Sequence, residues 1–154
     1  MNNNINCNLK IKNNLRFSQA LKYINESDII ADIGCDHGYL GIQAILNKKA
    51  SFVQFIDNKK EPLNQAWKNI KKTNINNNSY ELSLSNGLNK IKEDVNKVII
   101  MGMGGELIIQ LLSADYDKIT SNMTFILQAN TKVESLREYL FNNHFIFIIP
   151  TTYT

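Results

Sequence analysis

The sequence predicts an α/β fold, a doubly wound and mostly parallel sheet with helices on both faces. Short apolar runs of β type alternate with segments of helical apolar spacing, and these runs are nearly continuous, as in strands buried on both sides. The chain has 154 residues, 44% of them hydrophobic, which suffices for one core. We therefore expect a single domain over residues 1–154.

The first half of the chain is predicted to hold three helices and three strands. Helical spacing of apolar residues identifies the helices, and short runs of β type identify the strands, the first of which is stopped by Gly34. Pro62 lies in the first turn of the third helix, where proline is tolerated. In order, we expect a helix with Phe17, Ala20, Leu21 and Ile24 on one face, a strand 29–33, a helix 40–47, a strand 52–56, a helix 61–72 with Leu63, Ala66, Trp67 and Ile70 on one face, and a strand 80–84.

The second half repeats the alternation. Thr131 and Glu134 have the spacing of a capping box, in which a hydroxyl and a carboxylate satisfy free backbone donors at a helix start. The expected elements are a strand 98–101, a Gly-rich turn and a helix through about Leu112, a strand 125–128, a helix 133–142 and a sixth strand 145–149.

Composition bears on location and metal content. The longest apolar runs, 98–105 and 145–150, are far shorter than the roughly 18 residues that span a bilayer, and the first ten residues have no apolar signal core. We expect a soluble, cytoplasmic protein without membrane contact. Cys7 and Cys35 form neither a disulfide framework nor a zinc motif, so no metal site is predicted.

The net charge of +3 is unevenly distributed. Residues 28–46 carry three Asp and no base, whereas residues 47–72 carry seven Lys and two acids. Lys68, Lys71 and Lys72 follow the i, i+3, i+4 spacing of one helix face. Such a strip either binds phosphates or is an ordinary solvated face of a lysine-rich chain.

In a sheet of this kind, ligands bind outside the carboxyl ends of the strands. The residues that follow the predicted strands are therefore the site candidates. They are Gly34, Cys35, Asp36, His37, Gly38 and Tyr39 after the first strand, Asp57 and Asn58 after the second, Asn86 and Gly87 after the third, Met101, Gly102, Met103, Gly104 and Gly105 at the fourth, and Gln128 and Asn130 at the fifth.

The first of these turns indicates a nucleotide-type cofactor. Asp57 ends the second strand 23 residues after Gly34, where an acid can accept both hydroxyls of a ribose; the alternative is a turn-forming Asp. Asp32 and Asp36 would repel a pyrophosphate, and the turn lacks the GxGxxG spacing of dinucleotide-binding loops. Because the same acids attract an ammonium and a sulfonium, S-adenosylmethionine is favoured over NAD.

Two further turns have two interpretations each. Asn86 and Gly87 suit a bound adenine, since the Asn amide can hydrogen-bond a base edge, but they also suit a plain turn. The three glycines of segment 101–105 weaken a core strand unless something approaches the backbone closely. That something is either the substrate and the transferred methyl group or a packed helix.

At these residues the sequence resembles the bacterial tRNA adenine-N1 methyltransferases that modify adenine 22, the TrmK family. The matching stretches cover nearly the whole chain, and the combination of the Asp-His-x-Tyr turn with Gly-Met-Gly-Gly is specific. They are ADIGCDHGYL at 31–40, NGL at 86–88, VIIMGMGGEL at 98–107, ILQAN at 126–130, the LREYL helix at 136–140 and the first helix around Leu15 and Arg16.

The resemblance implies a class I methyltransferase fold, S-adenosylmethionine, a tRNA partner and methyl transfer to N1 of adenine. Asp36 or His37, or the carbonyls of segment 102–104, would serve as the acceptor near the exocyclic amine, Met103 would lie beside them, and Tyr39 would stack on the target base. The other assignments are, for the cofactor, Asp32, Gly34, Cys35, Gly38, Asp57, Asn58, Asn86, Gly87, Met101 and Gly102, and, for the substrate, Arg16, Gly104, Gly105, Gln128 and Asn130.

The sequence departs from the family pattern in three places. Asn86 stands where the family usually has Asp, and Ala129 stands where it has Pro. The family also continues into a last strand and a C-terminal coiled-coil extension, which we expect to be absent after Thr154. A cofactor- or RNA-binding module without activity and a small-molecule methyltransferase therefore remain alternatives, and the oligomeric state is open.

Overall fold

The computed structural model describes residues 14–148, in which strands and helices alternate. The helices are α1 (Leu15–Leu21), α2 (Tyr39–Leu46), α3 (Lys60–Lys71), α4 (Gly105–Ala114) and α5 (Val133–Asn142). The strands are β1 (Ile29–Ile33), β2 (Phe52–Asp57), β3 (Tyr80–Leu84), β4 (Lys97–Gly104) and β5 (Thr124–Thr131). Two short 3-10 turns, Asn77–Ser79 and Tyr116–Lys118, precede β3 and β5.

The five strands form one parallel sheet in the order β3-β2-β1-β4-β5. The chain winds outward from β1 to β3 and then crosses back to β4 on the other side of β1. The switch in strand order thus lies between β1 and β4, which is where doubly wound sheets bind ligands. This Rossmann-like architecture confirms the predicted fold.

Alternate residues of the central strands point into two cores, as the pleat of a strand requires. Ile30 and Ile99 pack into a core covered by α1, α2 and α3, whereas Ala31 and Ile100 pack into a second core covered by α4 and α5. All four side chains are buried. Burial on both faces explains why these strands are almost continuously apolar in sequence.

Helix α1 runs antiparallel to the strands, because the chain passes from its C-terminal end directly to the amino end of β1. Ala20 and Ile24 anchor this segment in the first core, and Lys97 Nζ donates a hydrogen bond to the carbonyl of Tyr23 at 2.7 Å. Asn14 caps the helix by accepting from the backbone N–H of Arg16. The start of α1, and Arg16 with it, is therefore held at the carboxyl edge of the sheet.

The predicted sixth strand is wrong for residues 145–148, which form no regular secondary structure; Ile149 lies outside the described residues. After α5 the chain turns at His144, whose φ is 64°, and Phe145 packs edge-on against Phe125 with ring centroids 5.6 Å apart. The side chain of Ile146 is 93% exposed. An apolar run alone does not make a strand; it also needs a neighbouring strand to accept its backbone hydrogen bonds.

Two local predictions also need correction. Helix α5 begins after Lys132, which has a left-handed conformation, and no side chain caps the helix; Thr131 still belongs to β5, so the capping box does not form. In α3 the indole of Trp67 is 46% exposed, whereas Asn69 is buried. The buried amide is satisfied by donating to the carbonyl of His37 at 2.8 Å. Leu63, Ala66 and Ile70 are buried as the apolar spacing predicts, so only Trp67 departs from the predicted face.

Candidate functional site

The turn after β1 is the centre of the candidate site. Gly34, Asp36 and Gly38 all have positive φ values, between 51° and 76°, so residues 34–38 form a tight loop rather than extended backbone. The backbone N–H groups of Gly34 and Cys35 both donate to the carbonyl of Ile56, at 2.8 and 3.1 Å. These bonds fasten the loop to the end of β2, and they leave Asp36 and His37 exposed to solvent.

Asp57 connects this loop to the end of β2. Its carboxylate is buried; Oδ1 accepts from the backbone N–H of Lys59 at 3.1 Å, and Oδ2 accepts from that of Asp36 at 3.4 Å. A carboxylate has about four acceptor positions, so two remain for a ligand. Asp57 thus has both the turn-forming role and the free acceptors that a ribose requires. Its neighbour Asn58 is exposed.

Two ionisable groups beneath the loop have altered acidities. Burial, with a smaller contribution from the charge of Asp57, raises the pKa of Asp32 to about 7, and a backbone hydrogen bond from Gly41 opposes the shift. Burial and then the charges of Asp32, Asp57 and Asp36 raise the pKa of the Cys35 thiol well above its ordinary range. Cys35 is therefore a buried thiol without nucleophilic character, whereas Asp32 ionises near neutrality.

The raised pKa of Asp32 makes stability depend on pH. Between about pH 4 and pH 7 the folded chain keeps a proton that the unfolded chain has lost, so the free energy of unfolding falls as pH rises, by up to about 1.4 kcal/mol per pH unit. Asp32→Asn should remove this contribution. Urea unfolding at several pH values between 5 and 8 measures it, with the exposed Glu138→Gln as a charge-matched control; an unchanged slope in Asp32→Asn contradicts the assignment.

The end of β3 joins the same edge through Ser85, whose N–H donates to the carbonyl of Asp57 at 2.9 Å. Asn86 is exposed, and Gly87 packs so closely on Leu111 of α4 that an added Cβ would lie 3.0 Å from it. The hydroxyl oxygen of Ser85 is buried and has no hydrogen-bond partner within residues 14–148. Sequence reasoning missed Ser85, although its position directly after a strand is the signal that identified its neighbours.

The glycine-rich segment at the end of β4 lies across the switch point from the first loop. The β4–β5 ladder is irregular between Met101 and Gly104, and Gly102 has a φ of 77° with open space beside it. The end of the Met103 side chain lies against Gly34. The residues on both sides of the switch point, predicted from separate parts of the sequence, are therefore in contact.

Polar side chains from β5 hold the Gly102 peptide on both sides. Gln128 Oε1 accepts from the N–H of Gly102 at 2.9 Å, and Asn130 Nδ2 donates to its carbonyl at 3.0 Å. Gln128 Nε2 also donates to Asn130 Oδ1 at 3.1 Å. Arg16 of α1 completes the cluster, since its Nη1 lies 3.4 Å from Gln128 Oε1 and 3.3 Å from Asn130 Oδ1. We call these four residues the Gly102 clamp.

Gly105 has a different role from Gly102, because it is buried where α4 begins. A Cβ there would meet backbone atoms of the β5–α5 connection, the carbonyl oxygens of Lys132 and, at 2.7 Å, Thr131. The helix-packing interpretation therefore holds for Gly105. Gly104 is less constrained, since its Cβ would meet only the Thr131 hydroxyl, at 3.0 Å.

Gly105→Ala is expected to destabilise the protein by about 1 to 3 kcal/mol, the usual cost of overpacking, because the backbone atoms that the new Cβ meets cannot rotate away. Gly104→Ala is the matched control and should cost less, since a side-chain hydroxyl can move. Urea unfolding of both variants measures the difference. Equal stabilities would show that the α4–α5 contact is more yielding than the packing implies.

His37 and Tyr39 form an aromatic pair on the rim of the site. Their rings are stacked, with centroids 5.4 Å apart and an interplanar angle of 25°. His37 Nε2 lies 3.8 Å from a carboxylate oxygen of Asp36, and both side chains are about half-exposed or more. Asn69 fixes the backbone beneath His37 through the bond to its carbonyl. Sequence reasoning missed this buried amide, because Asn69 is not among the apolar residues that define the predicted face of α3.

The site holds a set of groups suited to a small polar ligand with a positive charge. Among residues 14–148, no three His, Cys, Asp or Glu side chains are grouped as metal ligands. No helix of the described chain is long and apolar enough to cross a membrane. The carboxyl edge of the sheet provides acidic side chains, exposed loop backbone and a stacked aromatic pair.

Comparisons with known proteins place this chain in a family. The model of the family described as "Methyltransferase domain" matches residues 13–150. The chain is 33% identical over 140 residues to the tRNA (adenine(22)-N(1))-methyltransferase of Bacillus subtilis, covering 90% of this chain and 58% of that protein. It thus spans less than two thirds of that relative's length. It is also 34% identical over 120 residues to a probable cobalt-precorrin-6B C(15)-methyltransferase (decarboxylating) of Methanococcus maripaludis, covering 76% of this chain and 64% of that protein.

A solved structure agrees with the first of these. The structure of M. capricolum TrmK in complex with S-adenosyl-homocysteine superposes with a TM-score of 0.73 at 35% identity, covering 82% of this chain and 56% of that one. The resemblance indicated by the turn and glycine motifs is therefore confirmed at the level of sequence and fold. The chain belongs to the methyltransferase domain family and is similar to its tRNA (adenine(22)-N(1))-methyltransferases.

Proposed function

We propose that the chain transfers the methyl group of S-adenosylmethionine to N1 of adenine 22 in tRNA. The observation that carries this proposal is the assembly of the first loop, Asp57 and the Gly102 clamp at one switch point, in a chain whose match to the B. subtilis tRNA enzyme covers 90% of its length. A tRNA substrate implies that the protein acts in the cytoplasm.

The residues present fit S-adenosylmethionine. Gly34 and Gly38 would line its methionine part, and the free acceptor positions of Asp57 would take the ribose hydroxyls. The buried Ser85 hydroxyl lacks a partner among the described residues, and a polar ligand at this edge would supply one. The thiol of Cys35 and the side-chain amide of Asn86 would border the same ligand. When bound, the cofactor supplies an electrophilic methyl group on a positively charged sulfur.

The acidic residues of the site would respond to that positive charge. A cation beside a carboxyl lowers its pKa, so cofactor binding should release a proton from Asp32 near pH 7. Asp36, whose side chain is 74% exposed, would add to the attraction at the mouth of the loop. This electrostatic preference supports a sulfonium cofactor over a dinucleotide.

The chain's contribution to the reaction would be alignment more than acid or base chemistry. Adenine N1 is a neutral nucleophile, and holding it at near-attack distance can supply roughly 7 to 11 kcal/mol of the barrier. The His37–Tyr39 stack offers a surface for a base that has left its own stack. The Gly102 carbonyl, fixed by Asn130, retains a lone pair that can accept a hydrogen bond from the exocyclic amine of the target base, which becomes more acidic as N1 is methylated.

The similarity to a probable cobalt-precorrin methyltransferase favours a second candidate, methylation of a small cyclic tetrapyrrole. Both candidates use the same cofactor site and differ in what lies over it. A binding module without activity is the third possibility. The experiment that separates them offers labelled S-adenosylmethionine together with unmodified tRNA or a precorrin-type tetrapyrrole.

We expect label in tRNA and none in the tetrapyrrole, with Asp57→Ala as the control for transfer that depends on the cofactor site. Label in the tetrapyrrole alone would replace the proposed substrate with the second candidate. Cofactor binding without label in either acceptor would favour the binding module.

A further inference from the structure

The outer edge of the sheet carries an apolar hollow that the methyl-transfer site does not use. It is a cavity of about 510 Å³ between α3 and the edge strand β3. Leu82 and Leu84 form its floor, because alternate residues of a strand point to the same side. Leu84 is 41% exposed and Trp67 is 46% exposed, so the Trp67 ring is accessible to solvent beside an apolar floor.

Lysines lie at and near the hollow, and Lys60 is one of its lining residues. Lys60, Trp67 and Lys71 are spaced seven and four residues apart on α3, which places them on one stripe of the helix, and Lys68 lies one residue round the helix, on the side away from the core. Lys71 Nζ lies 5.8 Å from the centre of the Trp67 ring. On the strand side, Lys90 Nζ lies 3.4 Å from the carbonyl of Leu84.

The acids near the hollow do not balance these charges. Helix α3 contains Lys60, Lys68 and Lys71 and one acid, Glu61 in its first turn. On the strand side Glu81 is occupied by an ion pair with Lys92 at 3.2 Å. An acidic occupant is therefore favoured over a neutral or basic one.

Proteins that bind single-stranded nucleic acid combine exposed aromatic rings, on which bases stack, with nearby basic groups that contact the phosphates, and Trp67 with Lys60 and Lys71 offers both features. The hollow also lies close to the carboxyl edge, since Lys60 follows Asp57 by three residues and Leu84 directly precedes Ser85. A strand bound there can continue toward the switch point. Lysines alone would suit an acidic peptide as well, and the exposed ring beside them is what favours nucleobases, which stack on it.

We propose that Trp67, Lys60, Lys68 and Lys71 form a docking surface for an unpaired stretch of the RNA substrate, with a base against Trp67 and phosphates on the lysines. The proposal rests on the proposed function for the identity of the RNA. Compared with the sequence-based strip of Lys68, Lys71 and Lys72, this surface includes Lys60 in place of Lys72 and has the exposed Trp67 at its centre.

Trp67 is the only tryptophan in the chain, so its fluorescence reports on this surface directly. Titration with a short single-stranded RNA and with unmodified tRNA should quench its emission as labelled RNA binds. Trp67→Leu should weaken tRNA binding by about tenfold, the loss of one stacked base, whereas Trp67→Phe should retain most of the affinity. Saturation of the labelled RNA without any change in Trp67 emission would overturn the proposal.

A charge-matched pair of variants tests the lysines. Replacing Lys60, Lys68 and Lys71 with Gln should reduce the slope of log affinity against log salt by about two. Replacing the exposed Lys22, Lys48 and Lys49, which lie toward the amino end of the sheet, removes the same charge and should leave the slope near that of the parent protein. Equal reductions in both triple variants would show that the charge acts without a localised surface.

These experiments test the RNA surface independently of the proposed methyl transfer. Cofactor affinity, measured by calorimetry in all these variants, should stay at the parent value because none of the replaced side chains belongs to the cofactor site. RNA-dependent quenching without methyl transfer to tRNA would support the surface and refute the function. Methyl transfer to tRNA with unchanged Trp67 emission would support the function and refute the surface.

Discussion

Asp57→Ala is expected to weaken S-adenosylmethionine binding by tenfold or more in isothermal titration calorimetry. The expectation follows from the two acceptor positions that remain on a buried carboxylate already bonded to two N–H groups. Hydrogen bonds to a charged group contribute about 1.5 to 3 kcal/mol, and about 1.4 kcal/mol corresponds to a factor of ten in affinity. No other carboxylate of the described chain ends β2, so no neighbour replaces it.

Asp57 also accepts hydrogen bonds from the backbone N–H groups of Asp36 and Lys59, so its loss could disturb the loop. A control must therefore separate the loss of a ligand contact from the loss of loop structure. Asp57→Asn keeps one acceptor oxygen in place and should bind the cofactor with intermediate affinity. Thermal unfolding of both variants shows whether the fold is intact. If a folded Asp57→Ala variant binds S-adenosylmethionine as tightly as the parent protein, Asp57 is only a turn residue and the ribose assignment is wrong.

The second large effect is expected at the Gly102 clamp. Asn130→Ala removes the donor to the Gly102 carbonyl and leaves that peptide free to shift. Misplacement of reacting groups by about 1 Å can cost a factor of about 100, so kcat for tRNA methylation should fall by roughly that factor. The dissociation constant for S-adenosylmethionine should stay close to that of the parent protein, since Asp57 and the first loop are untouched.

Arg16→Ala provides a graded comparison. Its contacts to Gln128 and Asn130 are long, at 3.4 and 3.3 Å, so its loss should lower kcat less than the loss of Asn130 does. Single-turnover rates and cofactor affinities for both variants test this order. A fall in cofactor affinity that matches the fall in kcat would mean that the clamp supports the pocket as a whole instead of positioning the Gly102 peptide.

The parallel core of the fold could be predicted because strands buried on both faces are almost continuously apolar, and the bounds of β1 (Ile29–Ile33) agree with the predicted ones. The bounds of the edge strand β3 (Tyr80–Leu84) also agree, although its burial is only partial. The run at 145–149 has the same apolar character, yet residues 145–148 form no strand, because strand formation depends on a pairing partner that the local sequence does not encode.

The location of the site was predictable from one topological rule, since the residues after each strand meet at one edge. The contacts among those residues were not. Met103 against Gly34 and Arg16 beside Gln128 join positions 69 and 112 residues apart, and a single sequence carries no signal for such pairs. Trp67 shows a second limit of sequence-based prediction. Its helical spacing predicted a place in the core, but the side chain lies at the margin of the core and is 46% exposed.

The central claim is that this chain methylates one adenine in tRNA with the groups at its switch point. The most direct measurement compares methyl incorporation into an unmodified tRNA transcript with incorporation into the same transcript carrying guanine at position 22. We predict N1-methyladenosine at position 22 of the first transcript and background incorporation into the second. Equal incorporation into both transcripts, or none into either by a chain that binds S-adenosylmethionine, would contradict the account.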